Sequence, residues 1–70
     1  MFEKKIGFIG GGNMAQSLIG GLINSGISPE TIWVAEPLPT LRTKLKSKFG
    51  VKVSAKNSEV AEAVTLLVLA

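Results

Sequence analysis

The 70-residue sequence contains no cysteine and no histidine. Without cysteine there are no disulfides, no thiolate nucleophile and no cysteine-based zinc site. Without histidine a conventional zinc site and a Ser-His-Asp triad are also excluded. Long hydrophobic runs are missing too. The apolar stretch after Lys4 and Lys5 is broken by Gly7, Gly10, Gly11 and Gly12 and then by Asn13 and Gln16, so it does not read as a signal peptide. The C-terminal "AVTLLVLA" falls far short of the roughly 20 apolar residues that span a bilayer. The expectation is a soluble, cytoplasmic protein with no membrane partner. Acidic residues are few, giving a net charge of +3, and much of the basic excess (Arg42, Lys44, Lys46, Lys48, Lys52, Lys56) falls on one predicted helix. No aromatic platform interleaves with these lysines, so a solvated helix face is expected and no nucleic-acid partner. Glu3, Glu30, Glu59 and Glu62 read as surface charges, not as an acid/base pair.

A hydrophobic fraction of 46% with 19% charged residues suits a globular chain. So short a chain buries proportionately little surface, and it needs another source of stability or belongs to something larger. Lys4 to Ile9 reads as a buried strand, and Gly10 to Gly12 as a turn. A helix follows from Asn13 to about Ser25, with Met14, Leu18 and Leu22 on one apolar stripe, Ala15, Ile19 and Ile23 beside them, and Gly26 as the stop. Gly20 and Gly21 each cost this helix about 1 kcal/mol against alanine, which predicts close packing on a neighbour. "TIWVAE" (Thr31 to Glu36) is a second strand, ended by Pro37 and Pro39. A helix from about Thr40 to Phe49 carries Leu41, Leu45 and Phe49 on one stripe and closes at Gly50. Val51 to Val53 form a third strand, Asn57 or Ser58 caps a short helix through Val60 and Ala63, and Thr65 to Ala70 is a fourth strand.

Strands alternating with short helices predict an α/β fold, a Rossmann-like parallel sheet with flanking helices. Right-handed crossovers place strand two beside strand one, strand three outside it and strand four on the other side of strand one. That last strand is apolar on both faces and would be an exposed edge, which native proteins avoid. The expectation is a truncated chain, the first half of a dinucleotide-binding domain. The alternative is a complete small domain whose last strand is covered by a partner chain.

Gly10-Gly11-Gly12-Asn13-Met14-Ala15 is a G-x-G-x-x-A string at a strand-to-helix turn, with an acid, Glu36, 21 positions beyond Ala15. In a dinucleotide site Gly10 makes the tight turn, Gly12 admits the pyrophosphate and Ala15 keeps the helix close to the sheet. The free N–H groups and dipole of the helix's first turn hold the phosphate charge. The plainer alternative is that the glycines only shape a turn.

"KKIGFIGGGNMAQSLIGGLINSG", "IWVAEPLP", "FGVKV" and "KNSEVAEAVTLLVLA" together resemble the N-terminal part of pyrroline-5-carboxylate reductase, most specifically at Gly12-Asn13-Met14-Ala15 and Ile19-Gly20-Gly21-Leu22. The resemblance implies reduction of 1-pyrroline-5-carboxylate to L-proline with NADPH, in some members NADH. It implies cofactor contacts from Ile9, Gly10, Gly11, Gly12, Asn13 and Met14, from Asn57, and from Ala70, which begins an Ala-Val-Lys-Pro loop in the family. It also implies a C-terminal helical domain, absent from this chain, that carries substrate groups and pairs subunits, so no catalytic residue is assigned here. The other reading is a non-catalytic nucleotide-binding or interaction module on the same half-fold.

Glu36 departs from the family pattern, in which a small polar residue or a basic neighbour favours a 2′-phosphate. An acid at this place normally accepts from the adenosine ribose and selects NAD. Two unit charges about 4 Å apart repel by roughly 1 kcal/mol in water and nearer 4 at an effective dielectric of 20. Arg42 and Thr40 offset this if they reach the phosphate. The expectation is a site, Glu36 included, that takes both NADP(H) and NAD(H).

Overall fold

Four short segments, three of them apolar, pair into one parallel sheet. They are β1 (Ile6–Ile9), β2 (Ile32–Ala35), β3 (Lys52–Ser54) and β4 (Leu66–Leu69), in the order β3-β2-β1-β4. Helices α1 (Asn13–Asn24), α2 (Pro39–Phe49) and α3 (Asn57–Ala63) make the crossovers. This is the α/β architecture and strand order expected from the sequence. The computed structural model describes residues 4–70, so Glu3 lies outside the described residues.

Register assigns the two faces of the sheet. Phe8 stands beside Val34 and Val68, and Ile6 beside Ile32 and Leu66. Phe8, Ile32 and Val34 are fully buried with Ala15 and Ile19 of α1 and Leu45 of α2, forming the core on that face. Gly7, one residue along, points the other way, and an ideal Cβ built on it would lie 2.8 Å from Val60 and 2.9 Å from Val64. Helix α3 therefore lies flush on the opposite face because residue 7 has no side chain. Val60 is fully buried and cannot yield, whereas Val64 at the helix end is half-buried and can. Gly7→Ala should lower stability by about 1–2 kcal/mol, read as a fall in urea midpoint at constant slope. An unchanged midpoint would show that α3 shifts freely.

The helix ends follow their punctuation. At the end of α1 the Ile27 N–H donates to the Leu22 carbonyl (3.1 Å) and the Gly26 N–H to that of Ile23 (3.0 Å), with φ of +108° at Gly26. This is the double hydrogen bond of a Schellman cap. Helix α2 starts one residue earlier than expected, with Pro39 in its first turn, where its missing N–H costs nothing, and Gly50 ends it in the left-handed region.

Other expectations shift. The β1 ladder begins at Ile6, not Lys4, and Lys5 instead exchanges hydrogen bonds with Thr65. A single 3-10 turn at Pro29–Thr31 precedes β2, so that strand starts at Ile32. Strand β3 runs from Lys52 and leaves Val51 in the core. Strand β4 is shorter by one residue at each end than Thr65 to Ala70. Lys56, not Asn57 or Ser58, is the N-cap of α3, and Asn57 is the first helical residue.

Only part of the apolar surface of α1 is covered. Ala15 and Ile19 are buried, but Met14 is 68% and Leu18 46% exposed. Close packing does not explain Gly20 and Gly21: a Cβ on Gly20 would make an ordinary 3.8 Å contact with Phe49, and one on Gly21 would meet nothing within 4 Å. Leu66, Leu67 and Leu69 of the edge strand β4 are also exposed, as its apolar pattern anticipates. Glu30, Glu59 and Glu62 are exposed surface residues.

Candidate functional site at the glycine-rich turn

The carboxyl ends of β1, β2 and β4 converge beside the turn that leads into α1. A cleft of about 710 Å³ opens there, lined by Ile9, Gly10, Ala35, Pro37, Ala55, Asn57, Ser58 and Ala70. Ligands of open α/β sheets bind at this kind of place, where strand order reverses on either side of the first strand.

Each glycine of the turn has its own reason. Gly10 has φ of +100°, donates its N–H to the Ala35 carbonyl at 2.8 Å, and lies so close to β4 that a Cβ would be 3.0 Å from the Ala70 carbonyl oxygen. A residue with a side chain is strained there on both counts. Gly11 is buried, and a Cβ on it would lie 2.6 Å from Leu45 Cδ1 and 3.3 Å from Glu36 Oε1. Gly12 differs. Its φ of −77° suits any residue, and a Cβ there would meet nothing within 4 Å. The protein's own packing does not require glycine at 12. The open space lies at the N-cap of α1.

That N-terminus is electrostatically bare. Gly12 offers no capping side chain, and the first turn of α1 carries no acid. The Asn13 and Met14 N–H groups belong to the orphan donors that every helix start exposes, and both residues are exposed. Uncapped donors and the positive end of the dipole together suit an anion. Ala15, 1% exposed, lets α1 lie against the sheet as its place in the motif requires.

The sequence reading aims Glu36 at an adenosine ribose, but in the fold this side chain is turned inward. It is 6% exposed; Oε1 accepts the Gly11 N–H and Oε2 the Leu38 N–H, each at 2.9 Å. Its own N–H donates to the Ser54 carbonyl, fixing the residue just past the end of β2. Arg42 folds back from α2, its Nη1 donating to the carbonyls of Glu36 (2.8 Å) and Pro37 (2.9 Å). Gln16, not singled out from the sequence, donates from Nε2 to the Gly11 carbonyl at 3.1 Å. The contact becomes visible only in the fold. Ala55, without a sequence signal, and Ser58, read from the sequence only as a helix cap, also line the cleft.

The structure thus brings Ile9, Gly10, Asn57 and Ala70 into one cleft, with Gly11 and Glu36 hydrogen-bonded to each other. Gly12, Asn13 and Met14, which follow Gly11 in the chain, are exposed but are not among the residues lining the cleft. No group of three or more His, Cys, Asp or Glu among the described residues is placed to hold a metal ion. No helix among them is long and apolar enough to cross a membrane.

Residues 5–70 match the family described as NADP oxidoreductase coenzyme F420-dependent. The pyrroline-5-carboxylate reductase of Escherichia coli (strain K12) is 44% identical over 66 residues, which cover 93% of this chain and 24% of the relative. Pyrroline-5-carboxylate reductase 3 of Danio rerio is 41% identical over 71 residues, covering 100% of this chain and 24% of the relative. A solved pyrroline-5-carboxylate reductase from Coxiella burnetii superposes with a TM-score of 0.90 at 37% identity, over 96% of this chain and 25% of its own. The chain spans about a quarter of the length of these relatives. Turn, fold and comparisons agree that the chain belongs to the family described as NADP oxidoreductase coenzyme F420-dependent, with pyrroline-5-carboxylate reductases matching nearly all of it.

Proposed function

We propose that this chain is the cofactor-binding segment of a pyrroline-5-carboxylate reductase, and that the turn from Ile9 to Met14 holds the pyrophosphate of a nicotinamide dinucleotide. One observation carries the reading: Gly12 is a glycine that the fold itself does not need, and the space it leaves opens on the uncapped N-terminus of α1. A bound dinucleotide supplies a hydride for the imine carbon of 1-pyrroline-5-carboxylate, with a proton going to the ring nitrogen, to give proline. The chain's own part is to bind and orient. On this reading Gly12, Asn13 and Met14 present main-chain donors, and Asn57 and Ala70, which line the cleft with Gly10, contribute further contacts. Substrate groups and subunit pairing belong, on this reading, to a C-terminal helical domain of a cytoplasmic enzyme, as the resemblance implies.

A chimera tests the activity. The E. coli reductase with its 66 matching residues replaced by this chain should reduce 1-pyrroline-5-carboxylate with NADPH, and the 70-residue chain alone should not. A chimera that folds and binds dinucleotide yet turns nothing over would favour a non-catalytic module.

We further propose that both NADP(H) and NAD(H) are accepted. Each oxygen of the Glu36 carboxylate accepts a main-chain N–H, Oε1 from Gly11 in the turn and Oε2 from Leu38 in the loop after β2, which draws its charge away from a 2′-phosphate. Arg42 is anchored through Nη1 at the loop after β2, and its Nε and Nη2 donate to no acceptor among the described residues. Those donors suit a phosphate, and Thr40, two residues earlier in the chain, is exposed. Arg42→Ala should weaken the 2′-phosphorylated dinucleotide by about tenfold and NADH by less than about twofold, measured by titration. Equal losses would mean that Arg42 only braces the loop.

A further inference from the structure

The Gly11 peptide units are gripped from both sides. The N–H of Gly11 donates to the buried Glu36 carboxylate at 2.9 Å, and its carbonyl accepts from Gln16 Nε2 at 3.1 Å. One partner comes from beyond β2, 25 residues away, and the other from the first turns of α1, five residues away. Three consecutive glycines left to themselves sample many conformations, and freezing them on ligand binding costs backbone entropy. A hydrogen bond to an ionised carboxylate is among the stronger ones available to a main-chain N–H, and burial strengthens it further. Oε2 is in turn fixed by the Leu38 N–H, and the Glu36 carbonyl by Arg42, so the side chain that holds the turn is itself held.

We infer that Glu36 and Gln16 are positioning residues, a two-sided clamp on Gly11 that presets the phosphate-binding turn before any dinucleotide arrives. The inference rests on the proposed dinucleotide site but gives Glu36 a different task from the ribose contact that its place in the motif suggests. The clamp acts on the turn that receives the pyrophosphate, which is common to NAD and NADP. A ribose contact acts at the 2′ position, where the two differ. The two roles therefore leave different signatures.

The full chain and its Glu36→Ala, Gln16→Ala and Glu36→Gln variants are titrated with ADP, NAD and NADP, with circular dichroism confirming the fold and amide hydrogen exchange reporting on Gly11 without ligand. Glu36→Ala and Gln16→Ala should each weaken all three ligands by about tenfold, with the NAD/NADP ratio constant within about twofold. The Gly11 amide should exchange faster in Glu36→Ala. Glu36→Gln keeps an acceptor for the Gly11 N–H and should restore most of the affinity. A several-fold gain for NADP over NAD in Glu36→Ala would overturn the clamp in favour of the ribose contact. Variants that melt earlier but bind as tightly as wild type would reduce both side chains to a structural role, again overturning it. A wild-type chain that binds none of the three ligands would contradict the proposed site instead. A Gly11 amide equally unprotected in wild type and variant would contradict the clamp itself.

Discussion

Gly12→Val should reduce dinucleotide affinity at least about a hundredfold, roughly 2.7 kcal/mol, while the fold survives. The two halves of that expectation have separate causes. At residue 12 the backbone lies in an extended region open to any side chain, and an added Cβ touches nothing within 4 Å. The cost to the fold is limited to a poorer N-cap for α1, about 1 kcal/mol. The branched side chain would fill the space over the orphan donors of α1 into which the proposed site would receive the pyrophosphate. A melting temperature lowered by no more than about 4–8 °C, together with a lost titration, is the predicted pair. Loss of the fold would show Gly12 to be chiefly structural, and retained affinity would remove the phosphate from this turn.

Gly11→Ala, one residue away, should do the reverse and strike stability first. The new methyl would sit 2.6 Å from Leu45 Cδ1. The far end of a leucine usually swings aside cheaply, but Leu45 is fully buried in the core with Phe8, Ile19 and Val34 and has nowhere to go. On its other flank the methyl would stand 3.3 Å from Glu36 Oε1, crowding the carboxylate that receives the Gly11 N–H. Overpacking of this kind costs about 2 kcal/mol, or roughly 8–16 °C in a domain of this size. Thermal unfolding followed by circular dichroism checks it. Gly11→Ala melting with wild type would mean that the packing of Leu45 against the turn is looser than described.

The contrast between these neighbours marks how far the sequence alone reaches. The fold was legible because its signals are local. Gly26 and Gly50 stop helices, and the β-branched and aromatic run at Ile32 to Val34 names a strand, although Pro39, read as ending that strand, in fact opens α2. The G-x-G-x-x-A string located the turn for the same reason. What stayed hidden depends on partners distant in the chain. Strand ends moved by a residue or two because ladder pairing, not composition, decides where Ile6 and Lys52 begin. Asn57 has capping chemistry, yet the chain enters α3 one residue earlier. The direction of Glu36 depends on the N–H of Gly11, 25 residues away, and no local pattern encodes it. Gln16 looked like an ordinary polar position on α1 until the turn placed a carbonyl within its reach. Met14 and Leu18 extend the apolar stripe of α1 beyond what the sheet covers, so periodicity overstated the buried face.

The central claim is that the glycine turn binds a dinucleotide through its pyrophosphate, and amide shifts of the isotope-labelled full chain on titration with NADP test it most directly. The account predicts saturable shifts at Gly10, Gly11, Gly12, Asn13 and Met14, smaller ones at Asn57 and Ala70, and the loss of all of them in Gly12→Val. Shifts confined to the basic face of α2, around Lys44 and Lys48, or no shifts at millimolar ligand, would contradict it.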